Sequence, residues 1–246
     1  VISPLGAAIT SPFTRMASEF PCAVERNGVA GEMTERQNKT TVRRLLNRAG
    51  QTYAAEAGIR LADKPAPLYR LLVLSTLLST RISAGIAVDA AKELARAKLT
   101  TPRAMAETAW QQRVDALGRA HYKRYDEQTA TALGQSAETL LERHSGDLRK
   151  LRHDAGRDPR EITKRLRAFS RVGPVGGDIF CREAQLVWPE LRPYLDKKAL
   201  SGAQRVSLPT DTTELAGLVA EEDLASLAAA LVRVALDRSL AGEISG

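Results

Sequence analysis

The sequence predicts an all-α protein, and three observations carry that prediction. Apolar residues recur at spacings of three and four in one segment after another, and no stretch alternates convincingly with period two. Composition agrees: Ala, Leu and Arg are abundant and aromatic residues make up only 4%. Residues 1 to about 32 stand apart, with Pro, Gly, Ser, short apolar runs and no sustained period; they predict a poorly ordered extension outside the fold. Met33 opens a charged, helix-like sequence in which Val42, Leu45, Leu46 and Ala49 share a face, and a Tyr53–Ala57 face follows. Asp63-Lys-Pro-Ala-Pro67 breaks the chain. Leu68 to Leu78 is then apolar nearly all round, the mark of a central buried helix. Thr101-Pro102 reads as a helix start, with Thr as N-cap and Pro in the first turn. Gly118 interrupts before a long run from Lys123 to His144. Asp211 or Thr212 caps a last amphipathic helix reaching about Ala241. Trp110 and Trp188 read as core anchors.

The 246 residues suffice for one good core or two small ones. Lys and Arg number 36 against 29 Asp and Glu, a net charge of +7. That balance favours anionic partners, nucleic acid first, because counterion release drives such binding; a generically basic protein is the alternative. Between residues 141 and 171 ten Lys/Arg face five acids, whereas from 207 onward two Arg face seven acids. Two Cys, Cys22 and Cys181, cannot supply a disulfide framework, a structural zinc site or an iron–sulfur cluster, and the three His lack ligand spacing. No apolar run approaches membrane-spanning length, and the N-terminus lacks a basic region followed by an apolar core. No membrane association and a reduced intracellular compartment are therefore expected, with no metal.

The most informative stretch runs from Phe169 to Asp178 (Phe-Ser-Arg-Val-Gly-Pro-Val-Gly-Gly-Asp). A helix-like segment, Arg160 to Phe169, enters a Gly/Pro hairpin, and a second follows from Gly177 to Val187. Such a hairpin turns backbone N–H groups outward at a helix N-terminus and seats a phosphate. Leu195-Asp196 follows, with Asp196 eighteen residues beyond Asp178. A lone acid at that distance from a phosphate-gripping hairpin points to chemistry beside a nucleic-acid backbone.

From about Pro67 to Pro209 the chain resembles the helix-hairpin-helix DNA glycosylases of base-excision repair, the superfamily that includes endonuclease III. Leu71-Leu-Val-Leu-Ser-Thr-Leu-Leu-Ser-Thr-Arg81 is similar to the family's buried helix ending in Leu-Leu-Ser-x-Gln. Leu117-Gly118, with Lys123 five residues on, resembles its Gly-centred turn, and Leu140 to Gly146 the stretch before the hairpin helices. Val172-Gly-Pro-Val-Gly176 stands where the family has Pro-Gly-hydrophobic-Gly, and Leu195-Asp196 matches the step that holds the catalytic aspartate. The resemblance implies two helical lobes around a cleft: a six-helix barrel over 64–187 with the hairpin at 169–180, and a second lobe from 33–63 plus 188–246. It implies a monomeric protein that acts on double-stranded DNA carrying a damaged or mispaired base, in the cytoplasm beside a bacterial-type nucleoid. It further implies DNA contacts from Arg81, Arg119, His121, Lys123, Arg171, Gly173, Val175, Gly176, Gly177 and Lys197. No resident cofactor is expected, with room at the hairpin for a monovalent cation.

Four departures shape the reading. Bifunctional members carry a Lys two residues after the last hairpin Gly; here that residue is Asp178, and a carboxylate cannot form an imine. Lys197 and Lys198 adjoin Asp196, but adjacent helical side chains diverge by about 100°, so neither is an obvious substitute. Pro174 has no N–H for a phosphate, although Gly173, Val175, Gly176 and Gly177 do. Arg81 replaces a Gln that fills the gap left by an everted base, and the cysteine cluster of the endonuclease III branch is absent.

The expected activity is hydrolysis of an N-glycosidic bond by a monofunctional DNA glycosylase, with the target base flipped out of the duplex. Asp196 would stabilise the cationic sugar and orient the attacking water. Asp178 has two readings: cap of a helix beginning at Gly177, which is favoured, or a second acid whose repulsion with Asp196 leaves one of them holding a proton. Tyr122 and Tyr125 are candidates to stack on the base, with ordinary helix packing the alternative for each. A non-catalytic DNA-binding module and a lyase using another amine are the competing functions.

Overall fold

A computed structural model of the chain describes residues 23–246, and side chains from Glu32 onward. Every described element is helical, with no strand among the described residues, so the all-α expectation holds. The chain divides into two compact units, Val1–Gln37 and Asn38–Gly246, and the candidate site belongs wholly to the second. Of the expected extension, residues 1–22 lie outside the described residues. From Ala23 the chain is already in α1 (Ala23–Ala49), which therefore starts before Met33. Val42, Leu45 and Ala49 are buried on one face of α1, as their spacing predicts.

After a single turn, α2 (Tyr53–Glu56), the Pro-rich break becomes the start of α3 (Pro65–Leu78). Its prolines sit in the first turn, where a missing N–H costs nothing. Leu68, Leu71, Leu72, Leu74 and Leu77 are at most 1% exposed. Each contributes about 1.5–3 kcal/mol relative to an exposed position. Ser75 and Thr76 are buried beside them without unmet donors, because their hydroxyls donate to the carbonyls of Leu71 (2.8 Å) and Leu72 (3.0 Å).

After it come α4 (Ala84–Arg96), α5 (Pro102–Glu107), α6 (Trp110–Arg119), α7 (Asp126–His144), α8 (Leu148–Asp154), α9 (Pro159–Leu166) and α10 (Gly173–Ala184). Their contacts close a ring: α3 on α4, α4 on α6, α6 on α7, α7 on α8, α8 on α9, α9 on α10, and α10 back on α3. Thr101 caps α5, as expected, and Asp147 and Asp158 cap α8 and α9. Trp188 is fully buried, but Trp110 is 40% exposed and donates to Thr131, so only one Trp anchors the core. Gly118 lies inside α6 near its end and does not interrupt it.

The expected last helix is in fact three: α12 (Thr212–Ala216), α13 (Leu224–Leu236) and α14 (Arg238–Ser245), following α11 (Lys197–Arg205). An acidic turn, Glu221–Asp223, precedes α13 and complements its N-terminal dipole. Asp237 leaves the helical conformation and caps α14 by accepting from Ser239 N and Leu240 N. α13 packs on α10, α11 and α14. Its approach to α11 is very close: a Cβ on Gly202 would meet the Leu231 carbonyl oxygen at 1.9 Å, so only glycine fits there.

Candidate functional site

The site is built on α10. Between α9 and α10 the backbone reverses through positive φ at Arg171 (59°) and Gly173 (54°), and the helix then starts at Gly173 with Pro174 in its first turn. It begins four residues before the expected Gly177. Pro174 reads as a breaker in sequence yet suits a helix start, and Gly176 and Gly177 are buried inside the helix. Asp178 is consequently a mid-helix residue, which overturns the cap reading. No side chain caps this helix, whereas Asp or Thr side chains cap α2, α5, α8, α9, α11, α12 and α14.

One helical face of α10 carries Val175, Asp178, Ile179 and Arg182, at positions i, i+3, i+4 and i+7. All four line a cavity of about 510 Å³. Opposite them stand Asp196, Lys197 and Lys198 from the start of α11, Val232 and Leu236 from α13, and Tyr53 from α2. Leu78, Thr80, Ile82 and Ala84, around the α3–α4 connection, complete the wall.

The segment that delivers Asp196 is tied to the end of α10. Gln185, fully buried, accepts from Tyr194 N (2.9 Å) and donates to Tyr194 O (3.1 Å). Arg192 donates to the carbonyls of Gln185 and Leu186 at the helix end. Glu183 reaches the other way, and its carboxylate accepts from Tyr53 N and Ala54 N (3.0 Å each). Burial pushes its carboxyl up from the usual range, against the pull of those two N–H groups. Both cavity walls are thus referenced to one helix.

The two acids meet different partners. Asp196 caps α11, its Oδ1 accepting from Ala199 N at 2.9 Å, while Oδ2 accepts from Arg182 at 2.5 Å. Both members of that ion pair are buried, at 7% and 9% side-chain exposure. Asp178 is 31% exposed. Its Oδ1 accepts from the Tyr194 hydroxyl at 2.9 Å and from Arg167 at 3.3 Å. Oδ2 takes no hydrogen bond among the described residues. Each acid has its own cation, so their mutual repulsion is offset. Burial, first of all, raises the pKa of Tyr194 and keeps it a donor. Burial likewise pushes the neighbouring Cys181 thiol up to about 12, which makes it inert as a nucleophile.

Of the sequence-predicted residues, the cavity gathers Asp178, Asp196, Lys197 and Val175. Gly173 forms the turn at its edge, and Arg81 is exposed between two lining residues, Thr80 and Ile82. His121 and Lys123 are exposed on the connection before α7 and are not among the lining residues. Arg119 pairs with Glu93 at 3.0 Å, and Arg171 donates to Gln128 at 2.7 Å. Neither expected stacking tyrosine lines the cavity. Tyr122 is fully buried, and its hydroxyl shares a 2.8 Å hydrogen bond with Thr80, so it buttresses the wall from behind. Tyr125 is covered by the guanidinium groups of Arg124 and Arg171, at 5.3 and 6.0 Å. Part of the basic stretch is structural: Arg152 joins Glu190 and Asp63 and lies over Trp188.

Sequence reasoning missed Arg182, Tyr194 and Tyr53 as site residues, and weighed Lys198 only as a possible amine nucleophile. Arg182 was detectable, four residues after Asp178 on the same helical face. Tyr194 carries no local signal. Compared with known protein families and with curated proteins, the chain matches no family model and no curated sequence. Among the described residues no helix is long and apolar enough to cross a membrane, and no three His, Cys, Asp or Glu cluster as metal ligands would.

Proposed function

We propose that this chain is a monofunctional DNA glycosylase that hydrolyses the N-glycosidic bond of a damaged or mispaired base flipped out of duplex DNA. The observation that carries this reading is the shared cavity of Asp178 and Asp196, set along α10 from Val175 to Arg182 with Lys197 and Lys198 on its wall. A carboxylate in such a place stabilises the positive sugar that forms as the base departs. The lysines suit the flanking phosphates, and the uncapped start of α10 leaves N–H groups for another. A ring of helices from α3 to α10, with α13 packed on α10 and α11 and α14 packed on α13, supports the resemblance to the helix-hairpin-helix glycosylases. No lysine stands at position 178, so release is expected to leave an intact abasic strand.

A second reading, a duplex-binding module without turnover, draws on one observation: both oxygens of Asp196 are already bound. Single-turnover base release on a panel of lesion duplexes, with and without alkali, separates the two. Alkali-dependent cleavage of one lesion that is lost in Asp196→Asn supports the glycosylase. Tight, salt-sensitive duplex binding with no release on any lesion supports the binding module.

A further inference from the structure

We infer that Asp178, held in place by Tyr194 and Arg167, is the residue that orients and deprotonates the attacking water, and that Asp196 serves as a fixed negative charge. This inference rests on the glycosylase reading above and deepens it by dividing the work between the two acids.

The division follows from which oxygens are open. A general base needs a lone pair within reach of the water it activates. Asp196 is the more committed acid: each of its oxygens already accepts a hydrogen bond, Oδ1 from Ala199 N and Oδ2 from Arg182. What acceptor capacity remains sits on a side chain only 9% exposed. Freeing an oxygen would strip either a helix cap or a buried ion pair. Asp178 is arranged in the opposite way. Both of its partners, Tyr194 and Arg167, bond the same oxygen, Oδ1. Oδ2 is left unbonded among the described residues, on a side chain that lines the cavity. Two donors on one oxygen fix the carboxylate plane, and the open oxygen is held ready for water. Tyr194 does not line the cavity, so it acts as a positioning residue behind Asp178. Gln185 holds its backbone from both sides, which makes the Tyr194 hydroxyl a fixed reference point.

The step balances. The bond from the sugar C1′ to the base nitrogen breaks, and its electron pair leaves with the base, which takes a proton from solvent. The water oxygen forms the new bond to C1′, and one water proton passes to Asp178 Oδ2. Asp196, paired but immobile, offsets the positive charge on the sugar in between. Asp178 thus occupies the place of an amine nucleophile and performs water chemistry in its stead.

The test is single-turnover base release on the lesion that wild type processes, with Asp178→Asn, Tyr194→Phe and the double variant. Binding to a duplex carrying a tetrahydrofuran abasic analogue is measured alongside. Asp178→Asn is expected to slow release about 100- to 10,000-fold with binding changed less than about twofold. Tyr194→Phe is expected to slow release about tenfold in the wild-type background and to have no further effect in Asp178→Asn, because a positioning residue acts only through the group it positions. Should Asp178→Asn fail to fold, Asp178→Ser carries the same comparison. Release at the wild-type rate in Asp178→Asn, or equal slowing by Tyr194→Phe in both backgrounds, overturns the inference and leaves the glycosylase reading standing. Wild-type protein that releases no base from any lesion overturns both.

Discussion

Asp178 and Asp196 line one cavity, yet the regions around them are built on opposite principles. The Asp196 side is closed: a helix cap, an ion pair with Arg182, and a helix wedged so tightly against α13 that Gly202 admits no side chain. The Asp178 side is open: a partly exposed carboxylate on the cavity-lining face of a helix, with one oxygen bound and one not. Presence in a cavity does not tell which acid reacts. The hydrogen bonds and exposure of each carboxylate do, because an oxygen without a partner on an exposed side chain takes up a proton without weakening an existing hydrogen bond.

The most drastic way to test the contrast is Asp178→Lys. An amine placed on the open side should form an imine with the abasic sugar, so borohydride should trap a covalent protein–DNA adduct where wild type gives none. No adduct from a variant that still binds the duplex would mean that position 178 does not face the reacting carbon. Next in size is Arg182→Gln, which leaves Asp196 buried without its cation; the expected cost is about 3–5 kcal/mol in urea unfolding. Asp178→Asn, which disturbs a partly exposed pair, should cost less than about 1 kcal/mol in the same assay. Equal losses would erase the distinction between the two sides. Gly202→Ala is expected to cost about 1–3 kcal/mol, since its Cβ collides with the Leu231 carbonyl at 1.9 Å, and it should slow base release by displacing α11 together with Asp196. The smallest effect is reserved for Lys197→Ala and Lys198→Ala. Each should lower the slope of log binding constant against log salt by about one if it contacts a phosphate, and an unchanged slope removes that lysine from the interface.

Much of this organisation was legible in the chain. Leu68 to Leu78 is apolar on every side, and only a central helix can bury it; α3 does so. Thr101-Pro102 carries its helix start in two residues. Boundaries set by competition were harder to read. Gly173-Pro174 and Gly176-Gly177 suggest a turn up to Gly177, but both later glycines lie inside α10, Gly176 packed against Val172 and Ser75 and Gly177 against Arg167 and Thr163. The last helix reads as continuous because Ala and Leu persist through 215–236, while Asp237, which ends α13, reveals its role only through the N–H groups it caps.

By itself, the sequence determined the helical class, the central apolar helix, the surplus of positive charge and the pair of acids worth attention. The first three are properties of composition and short-range spacing, which need no distant contact, whereas the two acids stand out through the resemblance to a known family. Only the tertiary structure decided that Arg182 locks Asp196, that Tyr194 aims Asp178, and that Tyr122 supports Thr80 in place of meeting a base. Each of those outcomes depends on the direction of a side chain across a gap between helices. Packing of the whole chain sets that direction, and no local pattern encodes it.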